Sequence, residues 1–207
     1  SSAVSYLEEA TVSFQAAHRQ IEAGMCLLAA AHAEVGLPRV ERLEAALLVL
    51  GDDPEVLALL TQALAELRSP ALVGVGRRWA KIATKDADRI QAHLLVADFL
   101  REGLDAIQAK REYERALRLA PDHPGALEGL AKSLLLQGDP RRAAAILERL
   151  VGIAERQGQR ARAAELSLLI ADVWANLDLP AAFARVRRAS ELDPTSAAVV
   201  EHLADLA

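Results

Sequence analysis

Ala109-Lys-Arg-Glu-Tyr113-Glu-Arg-Ala116-Leu-Arg-Leu-Ala-Pro121 is the stretch on which the fold turns. Ala109, Tyr113 and Ala116 stand at i, i+4 and i+7, the spacing of one helix face, with charged residues between them and a proline closing the run. The same spacing recurs outward in both directions: Leu57, Leu60, Leu64; Leu95, Phe99; Leu127, Leu130, Leu134; Leu166, Leu169, Val173. Alternation of period two never lasts a strand's length. Breakers such as Gly51-Asp-Asp-Pro54, Ser69-Pro70, Gly138-Asp-Pro140 and Asp193-Pro194 cut the chain into segments of ordinary helix length. Several place Pro at a helix start with Asp or Ser before it, where the ring presets the backbone and the missing N–H has no partner to lose. The count is about twelve helices joined by short loops. Short loops force antiparallel neighbours, so the chain is a run of helical hairpins.

Composition supports an all-α class. Of the 207 residues 52% are hydrophobic but only 3% aromatic, and Ala and Leu carry most of the apolar content. Small and straight-chain side chains favour helix, whereas sheets lean on β-branched and aromatic ones. The net charge of −5 argues against a protein that lives on nucleic-acid phosphates, including RNA-reading helical repeats. That charge is segregated: residues 1–67 carry ten acids against three bases, and residues 68–89 six bases against two acids.

The hairpins repeat. Ile90 lies 34 residues before Pro124, and Ala163 lies 34 before Ala197. First helices carry Leu57-x2-Leu60-Thr61-x2-Leu64, His93-x2-Val96-Ala97-x2-Leu100, Leu127-x2-Leu130-Ala131-x2-Leu134 and Leu166-x2-Leu169-Ile170-x2-Val173. Second helices carry Ala109-x3-Tyr113-x2-Ala116-x4-Pro121 and Ala182-x3-Val186-x2-Ala189-x4-Pro194. Ala143-x3-Leu147-x2-Leu150 begins the same way but meets Glu155 where proline is due, so that helix is expected to run on to about Gln157.

In these patterns the chain resembles the tetratricopeptide repeat family, in a degenerate form with Leu in place of most large aromatics. The resemblance implies an all-α, right-handed superhelical solenoid of stacked antiparallel helix pairs, first helices lining a concave face and second helices a convex one. We expect N-terminal helices and a degenerate repeat over 1–53. Repeats then follow at about 54–89, 90–123, 124–162, 163–196 and, truncated, 197–207, as one continuous solenoid.

Signs of chemistry are few, and neither an enzyme nor a cofactor or metal site is expected. His18, His32, His93, His123 and His202 stand in no ligand spacing, and His93 occupies the tryptophan position of the family motif, a packing role. Cys26, in Met25-Cys-Leu-Leu28, suits a small buried hydrophobe. Gly74-Val-Gly76 has half of a dinucleotide fingerprint, but Trp79 stands at the third position and no strand precedes it, so close helix contact or a local weakness is the better reading. Glu8-Glu9 and Asp52-Asp53 are adjacent acids suited to surface and caps. Arg77, Lys81 and Lys85 fall on one stripe, a solvated face or a contact for an acidic partner; Arg185, Arg187 and Arg188 are read in the same way.

The resemblance implies a protein or peptide partner, held by exposed residues of the first helices. Those are Gln91, Leu94, Asp98, Arg101 and Glu102 in one repeat, Glu128, Lys132, Leu135 and Leu136 in the next, and Ser167, Ala171 and Trp174 beyond. Trp174, one residue after a packing position, is the candidate anchor. The alternative function is a regulatory or assembly segment of a larger enzyme or signalling, secretion or motility protein. Val199, Val200, Leu203 and Leu206 form an apolar stripe without a second helix, an open seam that further repeats or self-association would cover. The chain opens inside one amphipathic pattern and stops inside another, so we expect flanking sequence. No transmembrane stretch or secretory leader is visible, and the expected compartment is the cytoplasm, with a periplasmic or lipid-anchored home left open.

Overall fold

The computed structural model describes residues 2–16, 19–175 and 177–205. Among these it has twelve α-helices and no strand, gathered into two compact units, residues 1–103 and 104–207. The first holds α1 (Ser2–Ala16), α2 (Gln20–His32), α3 (Leu37–Leu50), α4 (Pro54–Glu66), α5 (Ala71–Ile82) and α6 (Asp86–Glu102). The second holds α7 (Ala106–Leu119), α8 (Pro124–Leu136), α9 (Pro140–Arg156), α10 (Arg160–Ala175), α11 (Leu179–Leu192) and α12 (Ala197–Asp205). No described helix is long and apolar enough to cross a membrane.

Helix starts follow the local chemistry. The side chains of Asp53, Asp105, Asp139 and Asp178 accept hydrogen bonds from backbone N–H groups in the first turns of α4, α7, α9 and α11. At α8 the cap is His123, whose Nδ1 accepts from the Ala126 N–H at 3.2 Å, so this histidine has a structural task. Each cap satisfies donors that the helix itself leaves orphaned. The ends of α8, α9 and α4 share one device. The N–H of Asp139 reaches the Leu134 carbonyl at 2.9 Å, and Gln159 reaches Ala154 in the same way, with Gly138 and Gly158 left-handed between (φ +73° and +71°). At the end of α4 the Ser69 N–H makes the equivalent bond to Leu64, but the left-handed residue is Arg68 (φ +50°). Helix α9 runs to Arg156 with Gln157 as its C-cap, the extension expected from the absent proline.

The repeat motif is a packing motif. Ala109, Ala143 and Ala182 are fully buried at matching places on α7, α9 and α11, as are Tyr113, Leu147 and Val186 four residues on. Small residues let neighbouring helices within a unit approach closely. Gly129 is the tightest instance: a Cβ there would lie 2.2 Å from the Cε1 and Cζ atoms of Tyr113. In the first unit Trp79 packs with Leu57, Ala83 and Ala92 in a buried cluster. Gly74 and Gly76 both lie in α5, and the two readings divide between them. A Cβ on Gly76 would meet Val96 Cγ2 at 2.6 Å, whereas one on Gly74 would meet nothing within 4 Å. Cys26 is half-buried, not buried as its apolar run suggested. His93 is half-buried; His18, Leu206 and the side chains of Val200 and Leu203 lie outside the described residues.

Candidate protein-interaction surface

In the second unit the first helices of successive pairs are joined by polar side chains that remain in reach of solvent. Glu128 on α8 accepts from Lys132, one turn on, at 2.8 Å and from Arg162 of α10 at 2.6 Å. Arg162 also donates to Glu165 at 2.9 Å. Further along, Asp172 of α10 meets the Nε2 of His202 on α12 at 3.0 Å. The hydrogen bond from Lys132, reinforced by the Lys132 and Arg162 charges, holds the Glu128 carboxyl below its ordinary value. Glu165 and then Glu128 raise the Arg162 guanidinium further above its usual range.

The outer line on α10 runs Arg162, Glu165, Leu169, Asp172, and on α8 Gly125, Glu128, Lys132 and Leu136, with Leu169 and Glu128 half-buried and the others exposed. Beside the Glu128–Arg162 pair lies a hollow of about 130 Å³ with Leu150, Ile153, Ala154 and Leu166 in its walls. Gln157 and Gln159 also border it, so hydrocarbon, amide and charge meet there, a mixture that suits a partner's apolar side chain with flanking polar groups.

The residues expected on the interaction face divide. Glu128, Lys132, Leu135 and Leu136 line one side of α8, with Leu136 53% exposed. Trp174 is half-buried and packs on the core cluster that includes Ala171 and Ile170. Ser167 and Ala171 are a correction: both are buried, at 0% and 2% exposure, and the Ser167 hydroxyl donates to the Ala163 carbonyl. The motif set Leu166 opposite Leu127, 39 residues apart, following the second helices. The buried positions of α8 instead recur in α10 at a step of 37 residues, Ala126 as Ala163 and Leu134 as Ala171. Arg162, Glu165 and Asp172 are the surface residues this register supplies and the motif missed.

In the first unit, α6 carries the other five. Gln91, Asp98 and Glu102 are exposed, Leu94 and Arg101 half-buried. Asp98 pairs with Arg101, and Glu102 with Arg68 of the α4–α5 turn, each at 3.5 Å. Leu95 and Phe99 lie with Arg68, Asp98 and Glu102 around a hollow of about 160 Å³. The basic stripe is shorter than expected, because α5 ends at Ile82 and Lys85 is the N-cap of α6. No cluster of three or more His, Cys, Asp or Glu able to hold a metal occurs among the described residues.

Comparison with known proteins agrees with this architecture. Residues 99–167 match the tetratricopeptide repeat profile. Among curated sequences none matches the chain. Among solved structures, the C-terminal part of a TPR repeat-containing protein from Cytophaga hutchinsonii superposes with a TM-score of 0.67 at 13% identity, over 93% of this chain and 84% of that one. MamA from Desulfovibrio magneticus gives 0.62 at 13% identity, covering 95% and 98%. PilW, a type IV pilus biogenesis factor, gives 0.61 at 16%, covering 98% and 99%. At such identities the likeness is one of fold. The chain therefore carries tetratricopeptide repeats, matched over residues 99–167, on a helical fold of the tetratricopeptide-repeat type.

Proposed function

We propose that the chain is a protein-interaction scaffold whose second unit holds a partner segment against the exposed faces of α8 and α10. The observation that carries this reading is the hollow beside Glu128 and Arg162, walled in part by Leu150, Ile153, Ala154 and Leu166, bordered by Gln157 and Gln159, and ion-paired at its rim. A partner side chain of leucine size would enter the hollow. Lys132, Glu165 and Asp172 would set the orientation of charges flanking it, and Leu136 and Trp174 would supply further apolar contact. On α6, Gln91, Leu94, Asp98, Arg101 and Glu102 offer the first unit a surface of the same mixed polarity.

Site-specific photo-crosslinking tests the assignment. A benzoylphenylalanine at Lys132 or Glu165 should capture a protein partner from the lysate of the native organism, and Arg162→Glu should reduce that capture about tenfold or more. Capture of a foreign partner only from a probe at Ala145, on the exposed side of α9, would place the interaction on the second helices and overturn the reading.

A further inference from the structure

The outer side of α7 sets an exposed apolar residue beside unpaired cations. The helix buries Ala109, Tyr113 and Ala116, which leaves Ile107, Arg111 and Arg118 one and two turns apart on the opposite side, in water. Arg115 flanks them and already holds buried Glu112 at 2.8 Å, and on the other flank Lys110 holds Glu114 at 3.9 Å. Arg111 and Arg118 have no ion pair with any described residue. Ile107 is 60% exposed. Leu104, just before the helix, is 77% exposed and lies in the left-handed region (φ +62°) that favours glycine or asparagine. A leucine kept in such a position, and in water, points to a contact that covers this end of α7.

The complementary pattern stands on α3, whose buried side carries Val40, Leu43 and Ala46. Its outer stripe is Leu37, Glu41, Glu44, Leu48 at helical spacing, all exposed, with Leu48 at 90%. Glu41 and Glu44 have no ion pair with any described residue, although Arg42 between them pairs with Glu8 of α1 and with Glu34. No ion pair therefore joins the two stripes within one chain. An isolated exposed leucine needs no explanation. Two unpaired carboxylates between two exposed leucines, however, complement two unpaired guanidiniums beside an exposed isoleucine in both charge and hydrocarbon.

We infer that the outer stripe of α7 docks the outer stripe of α3 from a second copy. Laid antiparallel, at a rise of about 1.5 Å per residue, Leu48 comes level with Ile107 and Glu44 with Arg111. Glu41 then falls between Arg115 and Arg118, and Leu37 rests on the methylenes of Arg118. Different surfaces meet, so the pairing is either reciprocal or head to tail, and the mass exceeds that of the monomer in both cases. It is independent of the partner surface on α8 and α10. The basic residues of α5 are a poorer dock, because Arg78 is already paired with Asp52 of its own unit. An anionic lipid surface is disfavoured by the net charge of −5, which sets the whole chain against it.

Sedimentation velocity on the full chain decides the matter. At about 0.05 M salt the average mass should climb above the 22.2 kDa monomer with concentration, and fall back near 1 M, where the Debye length shrinks to about 3 Å. Arg111→Glu with Arg118→Glu should weaken association about a hundredfold, and so should Glu41→Arg with Glu44→Arg, because each juxtaposes like charges. All four changes together should restore it to within about tenfold, which variants that merely damage the fold would not do. Leu48→Ser, at a solvent-facing position, should weaken association about tenfold with unchanged circular dichroism. A wild type that stays monomeric at low salt refutes the proposal. So does a fourfold variant that fails to recover, or a Leu48→Ser chain that associates as the wild type does. Binding of the monomer to phosphatidylserine vesicles, lost in Arg111→Glu with Arg118→Glu, refutes it as well, since α7 would then be a lipid site.

Discussion

Gly129→Ala and Gly74→Ala are the same chemical change on two helices, and the structure gives them opposite signs. In a helix interior, Ala is favoured over Gly by about 1 kcal/mol because it restricts the unfolded chain. At Gly74, where a Cβ meets nothing within 4 Å, that gain should appear almost undiminished. At Gly129 the new Cβ would stand 2.2 Å from two ring carbons of Tyr113, whose side chain is fully buried. Ordinary carbon contact is near 3.5–4 Å, so ring or helix must move by more than about 1 Å. Overpacking of that kind costs about 1–3 kcal/mol, and the rigid ring puts this case at the upper end. Net of the propensity gain, Gly129→Ala should destabilise the second unit by about 2 kcal/mol, a fall of roughly 8–16 °C in melting temperature. Urea and thermal unfolding followed by far-ultraviolet circular dichroism measure both. In a Tyr113→Leu background, itself destabilised by lost packing, Gly129→Ala should turn neutral or stabilising, and the double-mutant cycle isolates the contact. The reasoning fails if Gly129→Ala is as benign as Gly74→Ala, or if its cost persists once the ring is gone.

Other perturbations follow from the same geometry. Arg68→Gly should stabilise the first unit by about 0.5–1 kcal/mol in urea titrations, since the left-handed position favours glycine and the pair with Glu102 is exposed and weak. Glu128 has a folded-state value below the 4.5 of a free glutamate, so its contribution to stability is complete above about pH 4.5 and is lost as pH falls through the lowered value. The stability difference between wild type and Glu128→Gln should accordingly shrink below pH 4.5 when both are titrated with urea at several pH values. Trp174→Ala should cost the second unit about 1–3 kcal/mol, less than a fully buried tryptophan, because the ring packs on the core with part of its surface in water. Its far-ultraviolet spectrum should stay the same.

The sequence by itself determined the capped helix starts and which face of each second helix is buried, although it carried the stripe of α5 on to Lys85, past the end of that helix at Ile82. Those are local matters. An Asp three residues before an N–H caps it in any context, and Ala109, Tyr113 and Ala116 share a face because helices have one period. It also foretold the extra length of α9 from one absent proline. What only the tertiary structure decided is the rotation of each first helix about its own axis. A helix turns about 100° per residue, so the two-residue difference between a 39- and a 37-residue step carries a side chain roughly 200° round. Ser167 and Ala171 were thereby expected on the surface and lie in the core, while Arg162, Glu165 and Asp172 face outward. The cross-helix partners belong to the same class: Arg162 with Glu128, His202 with Asp172, and Gly129 against Tyr113. Each joins residues 16 to 34 positions apart, and their meeting depends on how two helices pack, which no local propensity encodes.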